Sequence, residues 1–234
     1  MIRVAIMQPT YLPWIGYFGL MQSVDVFILL DSVQFTRRSW QQRNQIKTTS
    51  GAQWLSVPVI SKGKRDQRID EVVIDQSTCF LEKHLRAIEH NYRKAPHFSE
   101  LAPTLLPEFE VTHSLLVDLN INFILRIGDI LGIKTQVLRS SAMQGSGNKA
   151  DLLLSLCQEV RASEYISPPG SQSYLNETDI FAKAKLPVKY FRFQHPIYSQ
   201  MYGDFLPYMS SLDFLFNCGK DSTALISKGC TITS

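Results

Sequence analysis

The sequence predicts an α/β fold with a mainly parallel sheet and helices on both faces of that sheet. Short apolar runs have the length and the β-branched or aromatic content of buried strands: 3–7, 26–30, about 135–138, 164–167 and 188–193. Segments with helical apolar spacing alternate with these runs, as in parallel strands joined by right-handed crossovers. The chain has 234 residues and is 44% hydrophobic, which is enough to bury a substantial core.

The first unit is predicted to be a β-α-β segment of Rossmann-like type. Its helix, 14–23, begins directly after Pro13, whose fixed φ suits the first turn of a helix. The loop before that helix lies at the carboxyl end of the first strand. Open α/β sheets bind ligands at this edge, where free backbone N–H groups also attract anions.

Residues 51–132 are predicted to form a hairpin and helical insertion, or lobe, within a single α/β domain of 1–234. Strands over 53–60 and 68–75 would pair in antiparallel fashion around the polar segment 61–67. We expect that polar segment to lie outside the functional edge of the sheet.

Helical apolar spacing covers most of the rest of the chain. It occurs in three segments: 78–94, about 99–132 and 148–162. Prolines divide the second segment into several helices, and Gly132 marks its end. These helices would cover the sheet and complete the insertion.

Composition and motifs exclude several classes of function. A net charge of +3 without a broad basic stripe predicts no nucleic-acid binding, and the absence of a long apolar window predicts no membrane insertion. The start of the sequence has no signal-peptide pattern, so we expect a cytoplasmic protein. Four scattered cysteines and unpaired histidines predict no metal site. A small-molecule substrate is the expected partner, while the oligomeric state is not indicated.

A basic loop, "DSVQFTRRSWQQRNQIKT", follows the second strand. Its candidates for ligand contact are Asp31, Gln34, Arg38, Trp40, Arg43, Asn44 and Lys47. Guanidinium groups match phosphate and carboxylate bidentately, so such a loop can clamp an anion. A solvated basic loop or helix face is about equally compatible with the composition, but the position beside the first loop favours function.

Two later loops also carry candidates. "YISPPGSQSYL" offers Ser167, Gly170 and Tyr174 to a sugar or phosphate, although taken alone this loop fits a plain rigid turn better. "FQHPIYSQMYGDF" contains His195, Tyr198 and Gln200 among aromatic residues. His195 is the first candidate for a general acid or base, against the alternative that a lone histidine is more often structural.

Five segments in this order resemble the WbqC-like protein family: "MQPTYLPWIGYF", "DSVQFTRRSWQQRNQIKT", "HLRAIEHNYRKAPHF", "YISPPGSQSYL" and "HPIYSQMYGDFLPYMSSLDFLFNCG". The resemblance runs from Val4 to Gly219. It implies a role in O-antigen or related surface-polysaccharide biosynthesis. It also implies transfer of an amino acid such as glycine to an amino sugar.

The first loop is also similar to the strand-loop-helix of nucleotidylyl transferases, in which the loop carries an HxGH motif. Trp14 to Tyr17 stand in place of that motif, and both histidines are absent, so adenylate formation by the usual route is not expected. Instead, a wall for a planar or sugar ligand is predicted from Gln8, Tyr11, Trp14 and Tyr17. Gly16 would permit close backbone approach. A core-packing aromatic cluster is the alternative.

These observations lead to one hypothesis and one alternative. The hypothesis is a transferase that acylates the amine of a nucleotide-linked amino sugar. In it, His195 takes the amine proton, Asp31 orients His195 or binds a sugar hydroxyl, and Arg38, Arg43 and Lys47 hold a diphosphate or an activated carboxylate. No cofactor is evident, and ATP or a carrier-bound acyl donor would supply the acyl group. The alternative is a non-catalytic nucleotide-sugar-binding or scaffold protein of the same pathway.

The fold and the candidate residues together predict one cleft. Residues 8–17, 31–47 and 167–174 should line it at the carboxyl ends of the strands, and 194–200 should approach it from the last strand.

Overall fold

The structure is a computed structural model that describes residues 1–175 and 178–233. Its strands are β1 (Arg3–Met7), β2 (Val26–Leu29), β3 (Arg43–Thr48), β4 (Gly51–Ser56), β5 (Gln136–Arg139), β6 (Glu164–Ser167), β7 (Val188–Phe193) and β8 (Cys230–Thr233). Its helices are α1 (Ile15–Gln22), α2 (Phe80–Tyr92), α3 (Phe98–Leu105), α4 (Leu116–Ile130), α5 (Ala150–Glu159), α6 (Gln172–Leu175), α7 (Ile180–Lys183), α8 (Ser211–Cys218) and α9 (Thr223–Gly229).

A six-stranded sheet in the order β5-β2-β1-β6-β7-β8 forms the centre of the described structure. All neighbouring strands pair in parallel except β8, which runs antiparallel to β7. The predicted mixed α/β fold with a mainly parallel sheet is therefore confirmed, and its Rossmann-like character stays a prediction. β8 was not predicted, because its four residues, "CTIT", are too short to show a clear alternation of apolar and polar side chains.

Alternating strand residues face two hydrophobic cores, one on each side of the sheet. Ala5 and Phe27 point into the larger core, which contains residues of α1 and α4. Val4 and Ile28 point into the smaller core with residues of α5 and α7. This period-two alternation places helices on both faces, as the apolar strand runs predict.

The predicted β-α-β unit is present as β1, α1 and β2. The two strands pair in parallel, with Val4 opposite Val26 and Met7 opposite Leu29. Seven of the eight residues of α1 are buried, so this helix lies inside the protein instead of showing a polar face. Because α1 begins at Ile15, the first loop opens at the carboxyl end of β1.

The predicted hairpin is wrong in its boundaries. The observed antiparallel pair is β3 with β4, and an isolated bridge joins Val59 to Ile74 where two long strands were expected. A 3-10 turn, Ile69–Glu71, interrupts the second expected strand. The pattern misled because Asn44 and Thr48 share the buried face of β3 with Ile46, so β3 shows no apolar alternation.

The helical segments were predicted with small errors at their ends. The long segment is divided into α3, a 3-10 turn at Leu106–Phe109, and α4. Gly132 follows α4 with a φ of +70°, the left-handed conformation that ends a helix and that glycine adopts without strain. Among residues 1–175 and 178–233, no helix is both long and apolar enough to span a bilayer.

Candidate functional site

Three loops enclose a cavity of about 410 Å³ at the carboxyl ends of β1 and β6. They are the loop after β1, the turn before β3 and the loop after β6. Their lining residues include Gln8, Thr10, Ser39, Trp40, Gln41, Pro168, Gly170 and Ser171. Sequence-distant loops meet here because the carboxyl ends of parallel strands share one edge of the sheet.

A second cavity of about 270 Å³ adjoins the first. The two share Met7, Thr10 and Trp40. The remaining lining residues of the second cavity are Trp14, Tyr17, Asn44 and Tyr208. We refer to both cavities together as the aromatic cleft.

Hydrogen bonds fix the first loop against the turn before β3. The Tyr11 backbone N–H donates to the Trp40 carbonyl at 2.9 Å, and the Asn44 amide donates to the Leu12 carbonyl at 2.6 Å. The Gln41 amide donates to Gln8 Oε1 at 2.8 Å. The positions of Trp40 and Gln8 in the cleft thus depend on contacts between segments about 30 residues apart.

No charged side chain lines the aromatic cleft in the part of the chain that the structure describes. The lining consists of aromatic rings, amides, hydroxyls and a few aliphatic groups. Aromatic faces pack on sugar or base rings, while amides and hydroxyls exchange hydrogen bonds with neutral polar groups. Such a lining suits an uncharged ring that carries hydroxyl or amide substituents. Within the same described residues, no group of three or more metal-ligating side chains is arranged to hold a metal ion.

The structure brings part of the predicted site together. Six residues predicted to contact a ligand line the aromatic cleft: Gln8, Trp14, Tyr17, Trp40, Asn44 and Gly170. Thr10 and Tyr208 also line it and were not predicted. Thr10 lies in the same first loop and could have been included on that ground, whereas no local pattern marks Tyr208. Tyr174 was also predicted, but its side chain lies outside the described part of the structure.

Tyr11 is a core residue instead of a ligand contact. It is fully buried, and its hydroxyl is 2.8 Å from His84 Nδ1 on α2. Burial lowers the pKa of His84 to about 4, and a hydrogen bond to the Ser56 backbone opposes that shift only in part. The Tyr11 hydroxyl donates because the neutral imidazole offers Nδ1 as an acceptor.

The His84 imidazole makes the protein less stable in acid. An unfolded histidine has a pKa near 6.5. Between pH 6.5 and 4, His84 is therefore mostly protonated in the unfolded chain and mostly neutral in the folded protein. The free energy of unfolding should therefore fall as the pH falls through this range, by about 3 kcal/mol from this group. Urea unfolding at several pH values measures the loss. His84→Gln should flatten the curve, and an NMR titration placing the His84 pKa above 6 would contradict the assignment.

Gly16 leaves space for Trp14 and not for a ligand. A Cβ built on Gly16 would lie closer than 3.0 Å to atoms of the Trp14 indole. The indole cannot easily move away, because it packs against Phe193 and Tyr208 with ring centroids 5.2 Å apart in each case. The predicted close backbone approach thus occurs within the protein.

Gly16→Ala should therefore displace the Trp14 ring from the cleft. We expect a loss of roughly 1–3 kcal/mol in the free energy of unfolding, as for other overpacked sites. Chemical denaturation gives that loss, and near-UV circular dichroism reports the indole. Gly128→Ala in α4 is the matched control, since its Cβ would meet only the Met21 methyl at 3.7 Å. A Gly16→Ala variant as stable as this control, with an unchanged spectrum, would refute the packing assignment.

Asp31 is a structural carboxylate. It is fully buried at the end of β2, and its Oδ2 accepts hydrogen bonds from Arg139 Nε at 2.7 Å and the Ser141 hydroxyl at 2.8 Å. Its Oδ1 accepts from the Ser141 N–H at 2.8 Å and the Ser140 hydroxyl at 3.1 Å. With both oxygens engaged and no exposed surface, Asp31 is not placed to orient His195 or to bind a sugar hydroxyl.

The basic loop does not form the predicted anion clamp. The Gln34 amide lies 3.3 Å from Asp66 Oδ1, away from the aromatic cleft, and Arg38 is exposed in a left-handed turn with a φ of +57°. The Lys47 ammonium is buried, and it donates to Gln200 Oε1 at 3.1 Å and to the Asp204 carbonyl. Arg43 lies over the Trp54 ring, 4.2 Å from its centroid. These side chains point to four different surroundings, so they do not act on one ligand group.

Three further predicted binding residues are also structural. Ser167 is fully buried on β6, with its hydroxyl 3.2 Å from the Pro168 carbonyl. The Tyr198 hydroxyl and the Gln200 amide both donate to Asp213 Oδ2, at 2.8 and 2.7 Å. Burial raises the pKa of Asp213, and these donors oppose the rise. The group forms a buried polar network behind the cleft.

His195 lies directly behind the aromatic cleft. Its ring stacks on Trp14, with planes 14° apart and centroids separated by 6.0 Å, and packs edge-on against Tyr208 at 5.4 Å. Nδ1 lies 2.8 Å from the Pro196 carbonyl, which can only accept, so Nδ1 carries the proton. Nε2 is then an unprotonated acceptor, and no described residue donates to it. Burial lowers the pKa of His195, which keeps this imidazole neutral at pH 7.

Two comparisons with known proteins found relatives of this chain. The model of the WbqC-like protein family matches residues 8–225. An uncharacterized protein of Mycobacterium tuberculosis (strain ATCC 25618 / H37Rv) is 41% identical over 224 residues, which is 95% of this chain and 96% of that protein. No solved structure matches the chain. The family match includes the loops that line the cleft, from Gln8 to Tyr208. Because the match covers most of the chain, the chain belongs to the WbqC-like protein family.

Proposed function

We propose that this protein is a transferase of surface-polysaccharide biosynthesis that acylates the amine of a nucleotide-linked amino sugar. The acyl group would be an amino acid such as glycine. The observation that carries the proposal is an uncharged aromatic cleft backed by a neutral histidine with an unengaged acceptor nitrogen. Family membership is consistent with a polysaccharide pathway.

The sugar ring would bind against Trp14 and Tyr208, which line the second cavity. Its hydroxyl and amide substituents would exchange hydrogen bonds with Gln8 and Thr10. A neutral cleft favours a neutral sugar ring, because the desolvation of an unpaired charge there would be costly. The cleft therefore supplies recognition of the ring, and the charged part of the ligand lies outside it.

The reaction would form a C–N bond between the sugar amine and the acyl carbon. The same reaction breaks the bond that joins the acyl carbon to its leaving group. That leaving group is AMP when the donor is an acyl adenylate, and the carrier thiol when the donor is a thioester. The attacking amine loses a proton, and His195 Nε2 would accept it. Tyr208, which packs on His195 and is 53% exposed, would turn outward to admit the amine.

The reaction is tested with purified protein, a nucleotide-activated amino sugar, an amino acid, and either ATP or an acyl carrier. We expect a sugar product whose mass has increased by one aminoacyl group. His195→Ala should reduce turnover about a hundredfold or more while the affinity for the sugar nucleotide changes only severalfold. His90→Ala, an exposed histidine on α2, is the matched control and should leave both quantities unchanged.

The lowered pKa of His195 gives a second readout. Because the base form of His195 persists to a lower pH than that of an ordinary histidine, the loss of turnover caused by protonation of this base should begin at a lower pH than an unperturbed imidazole would give. No adduct with any donor, or equal losses of binding and turnover in His195→Ala, would contradict the proposed role of His195.

A non-catalytic sugar-nucleotide-binding protein of the same pathway is the second candidate. The observation that favours it is the cleft lining, where tyrosines are the only described titratable residues. Thermal-shift measurements separate the two candidates. Stabilisation by an amino-sugar nucleotide that Trp14→Ala abolishes, with no product from any donor, would favour the binding protein.

A further inference from the structure

An exposed aromatic surface continues from the cleft onto the β3-β4 hairpin. The Trp40 and Trp54 rings contact each other with centroids 5.4 Å apart and planes at 40°. Trp54 is 42% exposed and Trp40 is 48% exposed, and Trp40 also lines both cavities of the cleft. Large aromatic side chains that remain exposed next to each other are typical of binding surfaces.

An unpaired cation lies on this surface. The hairpin register sets Gln45 opposite Trp54, so Arg43, two residues before Gln45, shares the outward face with Trp54. The Arg43 guanidinium carbon is 4.2 Å from the Trp54 ring centroid. Among the described residues, none forms an ion pair with Arg43, and its buried Nε has no acceptor. A half-buried guanidinium with a buried Nε and no carboxylate partner favours binding of an anion.

Three features meet on this side of the protein: an exposed aromatic pair, a guanidinium on Trp54 without an ion-pair partner among the described residues, and an uncharged cleft that begins at Trp40. A nucleotide-linked sugar combines the matching groups: a planar base, an anionic diphosphate and a neutral ring. The cleft offers no described cation for the diphosphate, so that group must lie outside, where Arg43 is available.

We propose that Trp40, Trp54 and Arg43 form a subsite for a nucleoside diphosphate. The base stacks on the exposed tryptophan surface, and Arg43 donates hydrogen bonds to the phosphates. This inference rests on the proposed function for the sugar that follows the diphosphate into the cleft. It adds Trp54 to the ligand contacts and assigns the base to the hairpin side of Trp40.

The subsite is tested with uridine diphosphate and adenosine diphosphate, two probes that lack the sugar. Isothermal titration should show binding of at least one probe to the wild-type protein, with quenching of tryptophan fluorescence. Trp54→Ala should weaken that binding about tenfold or more, because base stacking on an aromatic ring is lost. Trp54→Phe should restore most of the affinity, since phenylalanine keeps a stacking face.

Arg43→Gln should weaken binding to a similar degree and reduce its dependence on salt concentration. Arg93→Gln, an exposed arginine at the end of α2, is the matched control and should bind as the wild type does. Circular dichroism verifies that each variant is folded.

Two results would overturn the subsite. One is failure of both probes to bind the wild-type protein, and the other is unchanged affinity in Trp54→Ala and Arg43→Gln. These binding measurements are independent of the acyl-transfer assay, because that assay requires the complete sugar nucleotide and an acyl donor. Probe binding that depends on Trp54 and Arg43 supports the subsite even where no acyl transfer occurs.

Discussion

Asp213→Ala is expected to lower the free energy of unfolding by about 3–5 kcal/mol, because it removes one side of a buried polar network. Asp213 is fully buried on α8 and accepts hydrogen bonds from Tyr92 at 2.9 Å, Tyr198 at 2.8 Å and Gln200 at 2.7 Å. Its loss would leave these donors in the core without acceptors. It would also remove the carboxylate that lies near the buried Lys47 ammonium.

Urea unfolding of Asp213→Ala beside the wild type measures this loss. Asp129→Ala, an exposed aspartate on α4, is the matched control and should change stability by less than about 0.5 kcal/mol. Asp213→Asn keeps an acceptor oxygen, so its loss in the free energy of unfolding should lie between the losses of Asp213→Ala and Asp129→Ala. A loss below about 1 kcal/mol for Asp213→Ala would show that the network contributes little.

Asp31→Ala should also cost about 2–3 kcal/mol, since it leaves several hydrogen-bond donors around a fully buried position without their acceptor, while Arg139 keeps Asp118 as its ion-pair partner. The same change removes the acceptor of the Ser141 backbone N–H and of the Ser140 and Ser141 hydroxyls. A smaller fraction of the Asp31→Ala protein should be folded, and each folded molecule should keep its activity.

Asp118→Ala provides a close comparison for Asp31→Ala. Asp118 binds the same Arg139 at 3.1 Å, but its side chain is 42% exposed, so its loss should cost less than about 1 kcal/mol. Both variants are measured by chemical denaturation. Equal, small effects would contradict the structural role of Asp31, and a stable Asp31→Ala protein without activity would return Asp31 to the catalytic candidates.

The position of the cleft could be predicted from local sequence. Continuous apolar runs marked β1, β2, β6 and β7, and alternation with helical spacing indicated parallel pairing. Parallel pairing alone brings the loops after β1, β2 and β6 to one edge. Gln8, Trp40 and Gly170 were predicted to meet there for that reason, and they do line one cavity.

The roles of the polar residues could not be predicted in the same way. Asp31 and Asp118 are both aspartates that pair with Arg139, and only the further hydrogen bonds from Ser140 and Ser141, more than 100 residues after Asp31, distinguish the buried carboxylate from the half-exposed one. Lys47 sits on the outward face of β3, yet the loop at Gly203 and Asp204 covers it. Local pattern thus decided the parallel strands, the first β-α-β unit and the edge of the sheet where the cleft lies. Burial of a charge depends on partners distant in sequence, so folding alone decided which polar side chains hold the protein together and which face the cleft.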